Sequence, residues 1–196
     1  MKSVYNFVVS PEGSRYNNNI DVEGGKLILN TDIFNHKYVN RQAKVISTPI
    51  IGNTNIKPGD TVILHHNVFR RWNDVNGIEK NSKSYFKEDV YFINKDQIFL
   101  YKRKNKWISP KGYCFVKPLK SIDKFNIKPE RPLQGVVKYS DGIVEVGDIV
   151  GFRPGGEYEF IVDGERLYRV LSNLITIKYE YQGNEEEYNP SWAQSS

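Results

Sequence analysis

The chain has 196 residues, and 28 lysines and arginines against 23 aspartates and glutamates give it a formal net charge of +5. Hydrophobic residues make up 39% of the chain, which is enough for a folded core and excludes wholesale disorder. No apolar run approaches the ~20 residues that a membrane-spanning helix needs. The modest positive excess permits contact with nucleic acid without indicating it, so the composition disfavours nucleic acid as a partner.

The first half of the chain contains short apolar segments bounded by glycine, proline and polar residues. They are NFVVSP at 6–11, QAKVISTP at 42–49, IKPGDTVILHH at 56–66 and DQIFLYK at 96–102. Alternating or valine-rich runs of this length, punctuated by turn residues, predict β-strands. Helical periodicity is almost absent, so the fold class that the sequence predicts is all-β.

The second half of the chain repeats this order of segments. Its counterparts are YCFVKPL at 113–119, LQGVVKYS at 133–140, VEVGDIVGFR at 144–153 and SNLITIKY at 172–179. Both halves have a short strand ending at proline, a valine-rich strand, a Gly-Asp turn that opens a third strand, and a closing aliphatic strand. The repeated order predicts a duplicated domain whose loops differ in length.

A basic segment with a Ser-Pro step, residues 102–112, lies where a linker between the two halves is expected. We therefore expect domains at 1–104 and 105–180. The acidic segment that follows, 181–196, shows no alternation, and we expect it to be a flexible tail.

A long polar segment at 14–42 carries EGGKLILNT, in which two glycines and a lysine precede the apolar tripeptide LIL. The polar flanks disfavour collapse onto a core, and the glycines permit backbone angles closed to other residues. One interpretation is a recognition element for a partner, and the other is an ordinary buried strand. The candidate binding residues are Gly24, Gly25, Leu27, Ile28 and Leu29.

The strand-Pro segments, the glycine-hinged aliphatic loop, QGVVKYS and VEVGDIVGF together resemble GroES-type co-chaperonins, over about residues 4–179. The resemblance implies two tandem GroES-like small β-barrels, and a tandem, possibly phage-encoded form of the family. It implies a homo-oligomeric ring, with seven subunits as the family habit. The ring would cap the folding cavity of a GroEL-type chaperonin and dock through a mobile loop, here 14–42 with Leu27, Ile28 and Leu29. The corresponding segment of the second half, 121–132, is short and lacks Gly-Gly, so we expect it not to bind chaperonin.

The segment 69–77 reads as a hairpin, because Asn-Gly favours a tight turn. The resemblance places this hairpin in the roof of the ring. Arginines interleaved with an aromatic residue can also stack on single-stranded bases. The residues concerned are Arg70, Arg71, Trp72, Asn76 and Gly77.

No catalytic triad order, phosphate-binding loop or metal-ligand spacing occurs, so the sequence predicts a protein that is not an enzyme and has no cofactor or metal. The single cysteine, Cys114, cannot form an internal disulfide. Together with the lack of a signal-peptide pattern, it favours a cytoplasmic location. The alternatives to a co-chaperonin are a tandem β-barrel that binds nucleic acid and a phage structural protein.

Overall fold

The computed structural model describes residues 2–17, 19–22, 25–28, 38–122 and 129–195. The chain divides into two compact units, unit 1 at Met1–Lys106 and unit 2 at Trp107–Ser196. Within the described residues the regular structure is β-strand and short 3-10 turns, with no α-helix. The all-β class predicted from alternation is therefore what the structure shows.

Ten strands belong to unit 1, and they begin and end as follows: β1 Phe7–Pro11, β2 Asn19–Val22, β3 Gly25–Ile28, β4 Gln42–Ser47, β5 Thr61–Leu64, β6 Arg71–Asn73, β7 Glu79–Asn81, β8 Tyr85–Lys87, β9 Val90–Ile93 and β10 Ile98–Arg103. The short strand β11, Lys106–Ile108, crosses the boundary between the units. Unit 2 contains β12 Tyr113–Lys120, β13 Glu130–Tyr139, β14 Ile149–Phe152, β15 Tyr158–Val162, β16 Glu165–Leu171 and β17 Ile175–Tyr179.

The main sheets of the two units have the same strand order. The first sheet has the order β10-β5-β4-β1-β9-β8, with β11 added outside β10, and the sheet of unit 2 has the order β17-β14-β13-β12-β16-β15. The pairs among these twelve strands are antiparallel. The sequence predicts two closed barrels. The structure shows an open β-sheet in each unit, since neither sheet closes on itself among the described residues.

The alternation read from the sequence decides which side chains each sheet buries. Strand β4 buries Ala43 and Val45 and turns Lys44 to solvent, as a half-buried strand with a period of two should. Apolar side chains from all the central strands complete the core of each unit. In unit 1 they include Phe7, Val9, Val62, Leu64, Phe69 and Tyr91, and in unit 2 Val116, Val137, Val150, Phe152 and Val170.

The Gly-Asp turn that opens β5 is built by the same hydrogen bonds as the turn that opens β14. Gly59 has a φ of +90° and Gly147 a φ of +96°, a region that favours glycine. The amide of Gly59 donates to the Val45 carbonyl at 2.8 Å, and the amide of Gly147 donates to the Val137 carbonyl at 2.8 Å. The aspartate that follows each glycine accepts from the amide three residues before it, at 2.8 Å in unit 1 and 3.0 Å in unit 2.

Residues 181–195 differ from the flexible tail expected for this part of the chain. Leu119 forms an antiparallel bridge with Glu187, and the side chain of Ala193 is fully buried. The physical reason is electrostatic. The glutamates that suggested a solvated tail form ion pairs with lysines of unit 2, and the backbone of this segment pairs with β12.

Asp60 and Asp148 provide a matched pair of variants. The Asp60 carboxylate is almost buried, and it accepts from Arg103 Nε at 3.0 Å as well as from the Lys57 amide. Burial opposes its ionisation, but the bonds from Arg103 and Lys57 outweigh burial and hold the pKa of Asp60 below its ordinary 3.8. We expect Asp60→Ala to lower the free energy of unfolding by about 1.5–3 kcal/mol at neutral pH, measured by chemical denaturation.

The stabilisation from a carboxylate with a lowered pKa is complete above its ordinary value and disappears as the pH falls through the lowered one. The difference between wild type and Asp60→Ala should therefore shrink below about pH 3.8. Asp148→Ala is the control, because Asp148 accepts the same backbone hydrogen bond but its ion-pair partner is the exposed Lys178, so its loss should be the smaller one. Equal losses for the two variants would contradict this account of the Asp60 turn.

Candidate functional site

The segment expected to be a mobile loop leaves unit 1 through a short ladder of hydrogen bonds. Tyr16 forms an antiparallel bridge with Val39, and both side chains are buried. The amide of Asn17 donates to the Tyr38 carbonyl at 2.7 Å, and the amide of Asn40 donates to the Arg15 carbonyl at 2.9 Å. The two ends of the segment are thus fixed side by side at the surface of the unit.

The side chain of Asn40 ties this ladder together. It is only 3% exposed, and its amide nitrogen donates to the carbonyls of Glu12 at 2.9 Å and Ser14 at 2.8 Å. Its carbonyl oxygen accepts from the amide of Gln42 at 2.8 Å. One buried side-chain amide thereby joins backbone groups on both sides of the loop, and its own donor and acceptor atoms are satisfied.

Beyond this base, β2 and β3 form a separate two-stranded sheet, the β2–β3 hairpin. Ile20 pairs with Leu27, and Asn19 pairs with Ile28. Of the predicted chaperonin-binding residues, Gly25, Leu27 and Ile28 lie in β3, whereas Gly24 and Leu29 lie outside the described residues. The sequence left a recognition loop and an ordinary strand open for this tripeptide, and the structure places Leu27 and Ile28 in a strand that pairs with β2.

The residues predicted to form a roof hairpin lie in and next to β6 and β7, the β6–β7 hairpin. Trp72 pairs with Lys80 across the two strands, and Gly77 has a φ of +77° at the turn. The Asp74 carboxylate accepts from the amides of Asn76 at 3.0 Å and Ile78 at 2.9 Å. The predicted Asn-Gly turn is therefore present, with an aspartate side chain closing it.

The ladder of the loop and the β6–β7 hairpin are directly joined. The amide of Arg71 donates to the Tyr16 hydroxyl at 2.8 Å, and its guanidinium carbon lies 4.9 Å from the centre of the Tyr16 ring. Arg15 donates to the Phe69 carbonyl at 3.0 Å and to the Asn81 side chain at 2.8 Å. The two sites predicted separately thus form one contiguous assembly in unit 1.

Sequence reasoning missed Arg15, Tyr16 and Asn40. Each belongs to an unremarkable polar stretch, and its role arises from partners up to 66 residues away in the chain. Arg15 also faces the ring of Tyr91 at 5.4 Å, and burial raises the pKa of the Tyr91 hydroxyl to about 12 although the positive charge of Arg15 opposes the shift. The Tyr91 phenol therefore stays neutral at physiological pH.

A cleft of about 560 Å³ opens beside the β6–β7 hairpin. We call it the Trp72 cleft, and its lining combines one large aromatic ring, two cations and several amides and hydroxyls. The lining residues are Asn67, Arg70, Trp72, Asn73, Ser82, Lys83, Ser84 and Gln97. Arg71, although predicted together with Arg70 and Trp72, is not among them.

Unit 2 has no counterpart of the ladder and hairpin among its described residues. The connection between β12 and β13 is short, and the amide of Ser121 donates to the Pro129 carbonyl at 2.9 Å. Residues 123–128 lie outside the described part of the chain. The two units therefore differ in their loops, since the described loops of unit 2 carry neither the ladder nor the hairpin.

The acidic C-terminal segment is held on unit 2 by buried and half-buried lysines. Lys117 is 7% exposed, and its Nζ lies 2.6 Å from Glu165 Oε1 and 3.3 Å from Glu187 Oε2. Lys138 lies 2.8 Å from the other oxygen of Glu187. The amide of Tyr188 donates to the Pro118 carbonyl at 2.8 Å, so backbone pairing and charge act together.

The histidines and the acidic side chains of the described residues do not form a metal site. No group of three or more histidine, cysteine, aspartate or glutamate side chains there could hold a metal ion. His65 and His66 follow the end of β5 and stack on each other at 4.4 Å, and His36 lies outside the described residues. None of the described helical segments has the length and apolarity to cross a membrane.

Comparison of the chain with models of known protein families finds no match, and comparison with curated proteins finds none either.

Replacement of Asn40 tests the base of the loop. Asn40→Ala removes three hydrogen bonds of a buried side chain, each worth about 0.5–1.5 kcal/mol, so we expect the free energy of unfolding to fall by about 2–4 kcal/mol. Hydrogen exchange at the Gln42 amide should accelerate at the same time. Asn6→Ala is the control, because Asn6 pairs with Asn94 at an exposed position, and its cost should stay below about 1 kcal/mol. Equal costs for the two variants would contradict the role given to Asn40.

Replacement of Glu187 tests the attachment of the C-terminal segment. Burial opposes the ionisation of Glu187, but Lys138 and Lys117 outweigh burial and hold the pKa of Glu187 below 4.5. Burial likewise opposes the charge of Lys117, and Glu165 and Glu187 outweigh it and raise the pKa of Lys117 above 10.5. The stabilisation from Glu187 is complete above its ordinary value and is lost as the pH falls, and that from Lys117 is complete below pH 10.5 and is lost as the pH rises.

We therefore expect Glu187→Gln to lower the melting temperature of unit 2 at neutral pH, with the difference from wild type shrinking below about pH 4.5. Glu180→Gln changes charge equally at an exposed position, and it should leave the melting temperature unchanged. Scanning calorimetry measures both. A melting temperature of Glu187→Gln equal to that of wild type at neutral pH would contradict the attachment by charge.

Proposed function

We propose that the chain is a tandem co-chaperonin that caps a GroEL-type chaperonin and docks through the β2–β3 hairpin. The observation that carries the proposal is the separate two-stranded sheet held by the Tyr16–Val39 ladder, with Leu27 and Ile28 on its second strand. A rigid base with an independent tip suits an element that must be available to a partner. The shared strand order of the two units supports the duplication on which the resemblance rests.

The energetics of such a hairpin favour reversible docking. An isolated two-stranded hairpin is marginally stable in water, and each residue that is ordered costs about 1–2 kcal/mol. Each aliphatic side chain that a partner buries returns about 1.5–3 kcal/mol. The two contributions nearly cancel for one hairpin, whereas several linked hairpins gain about 10²–10⁴ in avidity. A ring of weak hairpins therefore seats firmly and still releases.

The proposal extends to the closure of each unit into a barrel and to the assembly of several chains into a ring. Each unit would complete a small GroES-like β-barrel within a homo-oligomeric ring, with seven copies as the family habit. Both main sheets end in strands with an unpaired edge, such as β8 in unit 1 and β17 in unit 2. Folded proteins cover or protect such edges, and a neighbouring copy in a ring is one way to do so. Unit 2 would serve as roof, spacer or assembly surface, because it lacks a docking hairpin in its described residues.

A binding experiment with matched variants tests the proposal. We expect the wild-type chain to co-sediment with a GroEL-type double-ring chaperonin in the presence of nucleotide. The double variant Leu27→Asp and Ile28→Asp should bind at least ~10-fold more weakly, because it removes the apolar area of the tip. The matched control is Ile143→Asp and Val146→Asp, since both aliphatics are exposed, at 64% and 66%, and belong to unit 2 rather than to the hairpin.

Two results would contradict the proposal in different ways. Full binding by the Leu27 and Ile28 variant would show that docking uses another surface. Failure of the wild-type chain to bind any member of a panel of bacterial and phage chaperonins would contradict the function itself. Analytical ultracentrifugation of the same samples measures whether the chain forms a ring.

A further inference from the structure

We propose that the Trp72 cleft binds single-stranded nucleic acid, with a base stacked on Trp72 and phosphates on Arg70 and Lys83. This site is independent of chaperonin docking. Two cations of the β6–β7 hairpin already have ion-pair partners. Arg71 forms an ion pair with Glu79 at 3.1 Å, and Lys80 forms one with Asp74 at 3.5 Å.

Arg70 and Lys83 are the cations of this region that line the cleft, and neither has an ion pair within the described residues. The Nε atom of Arg70 is moreover buried without a hydrogen-bond partner. The guanidinium carries further N–H donors besides Nε, and a phosphate in the cleft is an acceptor that matches their geometry. Two cations at one cleft suit two successive phosphates of a strand.

Trp72 supplies the surface that a base needs. Its side chain is 45% exposed although it is a large aromatic residue. Trp72 lines the same cleft as Arg70 and Lys83. Stacking on an aromatic ring beside cations is the usual way in which proteins hold single strands without regard to sequence.

The remaining features of the cleft agree with this ligand. A volume of about 560 Å³ is in the range that holds a small ligand, and the amides and hydroxyls of Asn67, Asn73, Ser82 and Gln97 can bond base edges and sugars. Unit 1 has 17 lysines and arginines against 10 aspartates and glutamates, so its field attracts a polyanion. The overall composition disfavours nucleic acid because unit 2, with 11 against 13, conceals this excess.

Fluorescence anisotropy with labelled oligonucleotides of about 15 residues, oligo-dT and oligo-rU, tests the site at low and moderate salt. The wild-type chain should bind single strands and should show quenching of Trp72 fluorescence. Trp72→Ala should bind about 5- to 150-fold more weakly, and Trp72→Phe should retain most of the affinity. The DNA and RNA arms show which strand the site prefers.

The charge test uses two double variants with equal loss of charge. Arg70→Ala with Lys83→Ala should reduce the slope of log affinity against log salt by about 1.4, since each phosphate contact contributes about 0.7 on a single strand. Lys44→Ala with Lys87→Ala removes two exposed lysines that do not line the cleft, and it should change the slope much less.

Several results would overturn the proposal. These are absence of binding by the wild-type chain, equal losses for the cleft and control variants, equal affinity for a blunt duplex of the same length, and equal competition by polyglutamate. The last result would assign the cleft to an acidic protein segment. Far-ultraviolet circular dichroism of every variant ensures that a loss of binding is not a loss of fold.

Discussion

The long segment between β1 and β4 leaves and re-enters unit 1 at one place, where Asn40 ties the two ends together through its buried side chain. Its side chain bonds Glu12, Ser14 and Gln42, and the adjacent Tyr16–Val39 bridge closes the exit. Both proposals for unit 1 depend on this base, because the β2–β3 hairpin can stand apart from the main sheet only if its two ends are fixed to the unit. The same base fixes the β6–β7 hairpin through Tyr16 and Arg71, so both candidate sites share one foundation.

The two units share a scaffold and differ in their connections. Their main sheets have the same strand order, and their Gly-Asp turns are built by the same hydrogen bonds. The difference lies in the connections, since unit 1 has a hairpin between β1 and β4 and a second one between β5 and β8. Unit 2 instead uses its C-terminal segment, held by Lys117 and Lys138, to cover the surface beside β12. Both proposed binding sites are thus placed on loops of a frame that the two units share.

Local patterns in the sequence predicted the frame well because the frame depends on local chemistry. Alternation located β4 and its buried Val45, and Gly59 and Gly147 marked turns that need a positive φ. The predicted closure of each sheet into a barrel is not seen in the described residues. Closure depends on pairing between distant strand edges, which no local pattern shows. The roles of Asn40 and Tyr16 arise from partners far apart in the chain, and no short window of sequence shows them. The C-terminal segment was misjudged for the same reason, since the lysines that bind its glutamates lie more than 45 residues upstream.

Hydrogen–deuterium exchange of the full chain, alone and with a GroEL-type chaperonin and nucleotide, tests the central claim most directly. The account predicts that the amides of β2 and β3 exchange rapidly in the free chain, because an isolated hairpin is marginally stable, and slowly in the complex. The amides around Asn40 should exchange slowly in both states. Slow exchange of β2 and β3 in the free chain, or rapid exchange of these strands in a complex that protects other residues, would contradict the account.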